Sequence, residues 1–195
     1  MKSKERETAH VVVDMLYDFI EGSLACSNSY NAVEKSIEFI NQNELHKVFY
    51  IKDSHPSDHC SFNENGGVWP PHCVSGTKGA EIHPDFYSKI IDIKSHPQES
   101  NTFKKGENPG QEQYSGFEAC SSNGERLGDY LKKYGFKHIV ISGIASEYCV
   151  FETSKDLLNS GFKVSVLHEA LAYVDIEGHK ESMKKLREIG AEIIN

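Results

Sequence analysis

Short runs of β-branched and aromatic residues recur along the chain, and between them apolar residues return every three or four positions. Val11 to Val13, Val48 to Lys52, Ile90 to Ile93, Ile139 to Ile141, Val164 to Leu167 and Glu192 to Ile194 have the composition and length of buried strands. Helical spacing connects Val33, Ile37 and Ile40, then Leu127, Leu131 and Tyr134, then Val150, Leu157 and Leu158, and finally Met183, Leu186 and Ile189. Gly135, Gly161 and Gly190 follow the last three, where a helix ends in a left-handed turn. This alternation predicts an α/β three-layer sandwich with a six-stranded, mostly parallel sheet. Sites in such folds lie at the carboxyl ends of the strands, so Asp14, Asp53 and the segment from Gly143 to Cys149 should converge on one edge.

No linker, repeat or low-complexity stretch divides the 195 residues, which predicts a single domain over 1–195. Two connections, Asp53 to about Tyr87 and Lys94 to Asn123, far exceed the typical roughly four to six residues and are rich in His, Pro and Gly. Loops of that kind shape pockets.

Charge narrows the partners. With 21 basic and 29 acidic residues the formal charge is -8, and no basic cluster exceeds two residues, which argues against a nucleic-acid or anionic-membrane surface. A small-molecule partner is expected. No apolar stretch has the length of a membrane span, and the charged Met1 to Glu7 lacks a signal-type segment behind it, so a cytoplasmic location is expected. Five cysteines, Cys26, Cys60, Cys73, Cys120 and Cys149, form no C-x-x-C pair, which disfavours a disulfide framework or thiolate zinc site.

The chemistry concentrates in a few segments. Asp53 and His55 stand two residues apart at a strand end and project to one side; His72, in Trp69-Pro70-Pro71-His72-Cys73, offers a third donor. One carboxylate with two imidazoles suits a hydrolytic divalent metal, with polar loop residues as the plain alternative. If Ser146 caps the helix that follows the Ile139 strand, Cys149 lies in its first turn, where unpaired N–H groups favour a thiolate. A small apolar core residue is the competing reading of Cys149. Asp14, at the end of a valine strand, is a candidate base for such a thiol, whereas Asp18 reads as a turn or helix cap. In Phe103-Lys104-Lys105-Gly106 one lysine could keep Asp14 ionised, although a lysine pair also suits a solvated loop.

Asp14 with Asp18-Phe19, DSHPSDHCSF, WPPHCVSGT, FKKG leading to Tyr114-Ser115-Gly116-Phe117, and GIASEYCV occur together and in order from Val11 to Val150. In this the chain resembles the nicotinamidases of the isochorismatase-like cysteine hydrolase family. The resemblance implies that fold and a catalytic triad of Asp14, Lys105 and Cys149, with the lysine directly before glycine favoured over Lys104. It implies an oxyanion hole from the N–H groups of Ala145 and Cys149 and a cis bond at Ile144-Ala145. Phe19 and Trp69 would flank a pyridine ring, with Ile144 and Tyr148 also at the substrate. One divalent metal is implied on Asp53, His55 and His72, zinc ahead of iron or manganese, with His59 and Glu64 ranked lower as completing ligands. The implied reaction is hydrolysis of nicotinamide to nicotinate and ammonia through a cysteine thioester, within NAD salvage, with pyrazinamide also accepted; a homo-oligomer is compatible. A metal-free carbamoyl or ureido amidase and a non-catalytic metal-binding thiol sensor are the alternatives. Leu16 stands where many relatives carry glutamine.

Overall fold

The computed structural model describes residues 7–43 and 46–195; most of the charged amino-terminal stretch lies outside them. Six strands, β1 (Thr8–Val13), β2 (Lys47–Asp53), β3 (Thr102–Lys105), β4 (His138–Gly143), β5 (Lys163–Leu171) and β6 (Glu192–Ile194), form one sheet in the order β3-β2-β1-β4-β5-β6. Every pairing is parallel. The α-helices in chain order are α1 (Tyr17–Ile20), α2 (Ser29–Gln42), α3 (Asp85–Ser88), α4 (Leu127–Lys133), α5 (Cys149–Asn159) and α6 (Ile176–Glu188).

Alternation along β1 divides the core into two layers. Ala9, Val11 and Val13 pack with Phe49, Ile51, Leu131, Val150 and Leu186 beneath α4, α5 and α6, while Val12 packs with Tyr50, Val33, Ile37 and Ile40 beneath α2. Both sheet faces are thus covered, which is why the strands are apolar throughout rather than alternating. Fully burying one such aliphatic or aromatic side chain contributes about 1.5–3 kcal/mol. The expected glycine helix ends are present, with φ of 76° at Gly135, 87° at Gly161 and 104° at Gly190.

One expected strand is wrong. Ile90 to Ile93 is no strand: Ile90 is buried against the α2 layer, but Ile91 and Ile93 are 75% and 72% exposed, and Ile93 opens a short 3-10 turn. The third strand is instead Thr102–Lys105, with Phe103 as its apolar residue, held at the sheet edge by pairing to β2. Local β-propensity pointed to a run whose alternate isoleucines have no layer to pack against, and tertiary pairing chose a more polar segment.

Among the described residues no helix is long and apolar enough to cross a membrane.

Candidate active site

The strand ends converge as the parallel topology requires. Asp14 directly follows β1, Asp53 ends β2, Lys105 ends β3, and Cys149 is the first residue of α5 after β4. Asp53 and Lys105 are register partners. Asp14 has a φ of 49°, a left-handed conformation that aspartate tolerates better than most residues. Its N–H donates to the Ile51 carbonyl at 3.0 Å, and its Oδ1 accepts the Asp53 N–H at 3.0 Å.

The Lys105 ammonium is fully buried at the centre of the group. It lies 2.9 Å from Asp14 Oδ2, 2.5 Å from Asp53 Oδ1 and 3.4 Å from Cys149 Sγ. Lys104 is exposed and takes no part. The ligand atoms of Asp14, Asp53 and Cys149 all fall within 4.8 Å of one another, so thiol and both carboxylates surround one cation.

This burial divides the carboxylates. Asp14 has its pKa raised to about 7, first by desolvation and then by the neighbouring Asp53 charge, which together outweigh Lys105. Asp53 is held below the ordinary carboxylate range: burial opposes, but Lys105 and His55 prevail. Lys105 is pushed well above the usual lysine value, because two carboxylates overcome its desolvation. Burial, reinforced by Asp14 and Asp53 and opposed by Lys105, raises the Cys149 thiol well above its ordinary value. The expectation of a helix-start thiolate is therefore corrected. Cys149 does begin the helix, but Tyr148 rather than Ser146 holds the cap position, and burial, with Asp14 and Asp53 adding to it, keeps the thiol pKa high. Beside this raised thiol stands Asp14, whose carboxyl titrates near neutrality.

On the other side of Asp53, two imidazoles turn inward. His55 Nδ1–H donates to the Gly106 carbonyl at 2.9 Å and His72 Nδ1–H to the Pro70 carbonyl at 2.8 Å, which turns each Nε2 inward, that of His55 to 3.6 Å from Asp53 Oδ2. Donor atoms of Asp53, His55 and His72 lie within 4.8 Å of one another. Backbone carbonyls fixing the tautomers of two such histidines are the outer contacts a metal site needs, so the donor set fits a divalent cation. Gly106 makes the approach possible: its φ is +70°, and a Cβ there would stand 2.4 Å from His55 Cε1.

His59 and Glu64 are not brought into this donor set. His59 packs at a tilt against His55 with ring centroids 4.1 Å apart, donates from Nε2 to the Gln111 carbonyl at 3.1 Å, and accepts the Ser61 N–H at Nδ1. Both its nitrogens are thus occupied, one by Ser61 and one by Gln111 of the second long connection. Glu64 is exposed on the 3-10 turn Asn63–Asn65.

A cleft opens onto Cys149, Asp53, His55 and His72, with Phe19, Trp69 and Tyr148 in its wall. Phe19 lies 5.4 Å from the His72 ring. Ile144 does not reach it; its side chain is buried in the α2 layer. The Ile144-Ala145 bond is cis. The Ala145 carbonyl accepts from Tyr148 and Val150, each at 3.1 Å, whereas among the described residues the N–H groups of Ala145 and Cys149 donate to no backbone carbonyl. Both remain available to an oxygen in the cleft.

Leu24, Cys26, Glu112, Tyr114 and Val174 also line the cleft. Tyr114 accepts from Trp69 Nε1–H at 3.2 Å and was visible only as part of a motif; Leu24 and Val174 had no local signal. Asp18 is a tie between segments, its Oδ2 accepting the Cys73 N–H at 2.8 Å next to His72. Size would have pointed elsewhere. A groove of about 840 Å³ is lined by Lys52 and Lys104, which alternate with Asp53 and Lys105 and so face the opposite side of the sheet. None of the buried charged cluster lines it.

The Isochorismatase domain matches residues 8–195. The chain belongs to that family. Among relatives, the nicotinamidase/pyrazinamidase of Mycobacterium tuberculosis is 31% identical over 191 residues, covering 95% of this chain and 97% of its own length. Of the solved family structures, the pyrazinamidase of Pyrococcus horikoshii in complex with zinc is 33% identical with a TM-score of 0.83, covering 97% of this chain and 99% of that one. PnC1 of L. infantum in complex with nicotinate is 28% identical with a TM-score of 0.81, covering 98% and 93%. In this isochorismatase-family chain the six-stranded α/β fold, the buried lysine and the donor triplet occur in one frame.

Proposed function

We propose that the protein is a nicotinamidase, hydrolysing nicotinamide to nicotinate and ammonia and accepting pyrazinamide. The observation that carries this reading is Lys105, which touches Asp14, Asp53 and Cys149 at once and so joins a base and a nucleophile to a metal-type donor set.

Asp14, as carboxylate, takes the proton from Cys149 Sγ while the sulfur bonds to the amide carbon. The carbonyl oxygen becomes an oxyanion and receives the N–H groups of Ala145 and Cys149. Asp14 returns its proton to the amide nitrogen, the C–N bond breaks and ammonia leaves a thioester. Water then adds to that carbon with Asp14 taking its proton, the C–S bond breaks, the proton passes to sulfur, and nicotinate is released. Lys105 keeps a positive charge beside Asp14 throughout, favouring its basic form and stabilising the negative charge that develops on sulfur. Phe19 and Trp69 hold the ring plane. Asp53, His55 and His72 would hold one divalent cation, which supplies a Lewis-acid contact for the ring nitrogen and ordered water. A metal-free amidase would leave the inward Nε2 lone pair of His72 without a task.

Ammonia release from nicotinamide, pyrazinamide, isonicotinamide and benzamide by metal-loaded protein tests the proposal. A site built on a polar contact rejects an analogue lacking it by about 10⁴-fold, so benzamide should be nearly inert. Cys149→Ala should abolish turnover and keep its metal. Benzamide hydrolysed as fast as nicotinamide would exclude recognition of the ring nitrogen, and turnover by Cys149→Ala would exclude the thioester.

A further inference from the structure

The loop that carries the candidate oxyanion donors, residues 143–149, is anchored by a chain of side chains that the proposed chemistry does not use. Ser146 is fully buried and follows Ala145 directly. Its Oγ lies 2.8 Å from His179 Nδ1, a residue of α6 that is 33 positions away in sequence, and 3.1 Å from Glu147 Oε2. His179 Nε2 lies 3.3 Å from His168 Nε2 on β5, and Tyr173 stacks on the His179 ring at 4.9 Å. Glu147 Oε1 accepts the N–H groups of Val174 and Asp175 at 2.8 and 2.7 Å, and Ser146 N–H donates to the Ala172 carbonyl at 2.9 Å.

Hydrogen-bond direction follows from counting protons. The Glu147 carboxylate only accepts, so the single Ser146 hydroxyl proton goes to it. Ser146 Oγ must then accept from His179 Nδ1–H, and the neutral His179 is left with a lone pair on Nε2, which accepts from His168 Nε2–H. The result is a one-way relay: His168 to His179, His179 to Ser146, Ser146 to Glu147, with Glu147 closing on the 174–175 backbone. At its Glu147 end the relay ties the 143–149 loop to the 174–175 backbone, and Val174, Ala145, Tyr148 and Cys149 all line the cleft. Networks of this kind polarise along their length and hold one arrangement.

We infer that His179 is a positioning residue for the hydrolysis: through Ser146 it fixes where the Ala145 and Cys149 N–H groups point. This rests on the proposed nicotinamidase reading for its kinetic consequence but on the relay alone for its structural one. A donor aimed at an oxyanion acts in the transition state, so its misplacement lowers kcat and leaves ground-state binding nearly unchanged.

The experiment compares His179→Leu, His179→Asn, Ser146→Ala and the His179→Leu/Ser146→Ala double variant with wild type. Two readouts are taken, ammonia release from nicotinamide and amide hydrogen exchange of the peptide spanning residues 143–150. Losing one oxyanion donor outright costs about 10²–10³ in kcat, so a displaced pair in His179→Leu should cost about 10-fold or more, with KM changed less than about 3-fold and faster exchange confined to that peptide and the 172–175 turn. Asparagine keeps an N–H where Nδ1–H stood and should restore most of both. The double variant should fall no further than the worse single one, because the two residues act as one unit. Wild-type kcat and exchange in His179→Leu would overturn the inference, as would equal losses in the leucine and asparagine variants. If wild type releases no ammonia from nicotinamide the functional reading fails, and the exchange pattern alone then decides the positioning.

Discussion

The Gly106 carbonyl accepts the His55 Nδ1–H at 2.9 Å, and Gly106 is the residue after Lys105, so one short turn serves both halves of the site. A side chain there meets the imidazole and also forces a φ of +70° on a residue with a Cβ. Gly106→Ala should therefore push His55 aside and weaken divalent-metal binding by about 10–100-fold, the range seen when an outer contact of a metal ligand is lost. Metal titration of the purified variant measures it. Unchanged affinity would mean that His55 is not held by this turn.

Lys105 neutralises two buried carboxylates, and its removal strands them. Lys105→Met should end turnover and destabilise the fold at neutral pH by about 3–5 kcal/mol, the usual cost of leaving a buried charge uncompensated. Protonation removes such a charge, so the deficit against wild type should shrink as pH falls from 7 to 5. Urea denaturation across that range shows whether it does; a constant deficit would point to lost packing instead.

Under the proposed mechanism Asp14 should set the acid side of the rate profile. Its pKa is raised to about 7 by burial and by Asp53, and only its ionised form can take the thiol proton. Activity on nicotinamide should be present above that value and fall tenfold per unit well below it. A rate that stays level from pH 8 to pH 5.5 would assign the base elsewhere.

His10 should govern acid stability away from the site. It is buried on β1, its Nε2 lies 2.8 Å from Ser142 Oγ, and desolvation, with His46 adding to it, lowers its pKa from 6.5 to about 3. Above pH 6.5 it is neutral in both states. Below that the unfolded chain takes up a proton that the folded one refuses, so stability falls with pH, by at most about 1.4 kcal/mol per unit from this group, until about pH 3. His10→Gln should show a shallower loss between pH 6.5 and 5 than wild type; parallel curves would remove His10 from the account.

Residues that announce themselves by type and neighbours were readable before any coordinates. Asp14, Asp53 and Cys149 each follow or end a strongly apolar strand, and the parallel-sheet rule alone gathers them on one edge. Lys105 was harder, since its strand Thr102–Lys105 is short and polar and exists only as a partner of β2. The same weakness drew the strand prediction to Ile90, where three isoleucines outscore the true edge on local preference. The titration of Cys149 could not be read, because a helix start argues for a thiolate and only the packed structure shows two carboxylates and full burial arguing the other way. His179 and Ser146 meet across 33 positions with no motif linking them, so no spacing could have paired them.

The pairing of Asp53 with Lys105 on neighbouring strands makes the alignment of the outermost strand a chemical quantity. A slip of a single residue exchanges the faces of a strand. Lys105 would then point toward the wide groove and Lys104 toward the carboxylates, with the fold otherwise intact and the sheet still closed by the same number of strands. Insertions or deletions in the connection between Ile93 and Thr102 can thus leave secondary structure untouched while separating base, thiol and ammonium, and loss of turnover would be the most sensitive gauge of a mispaired edge.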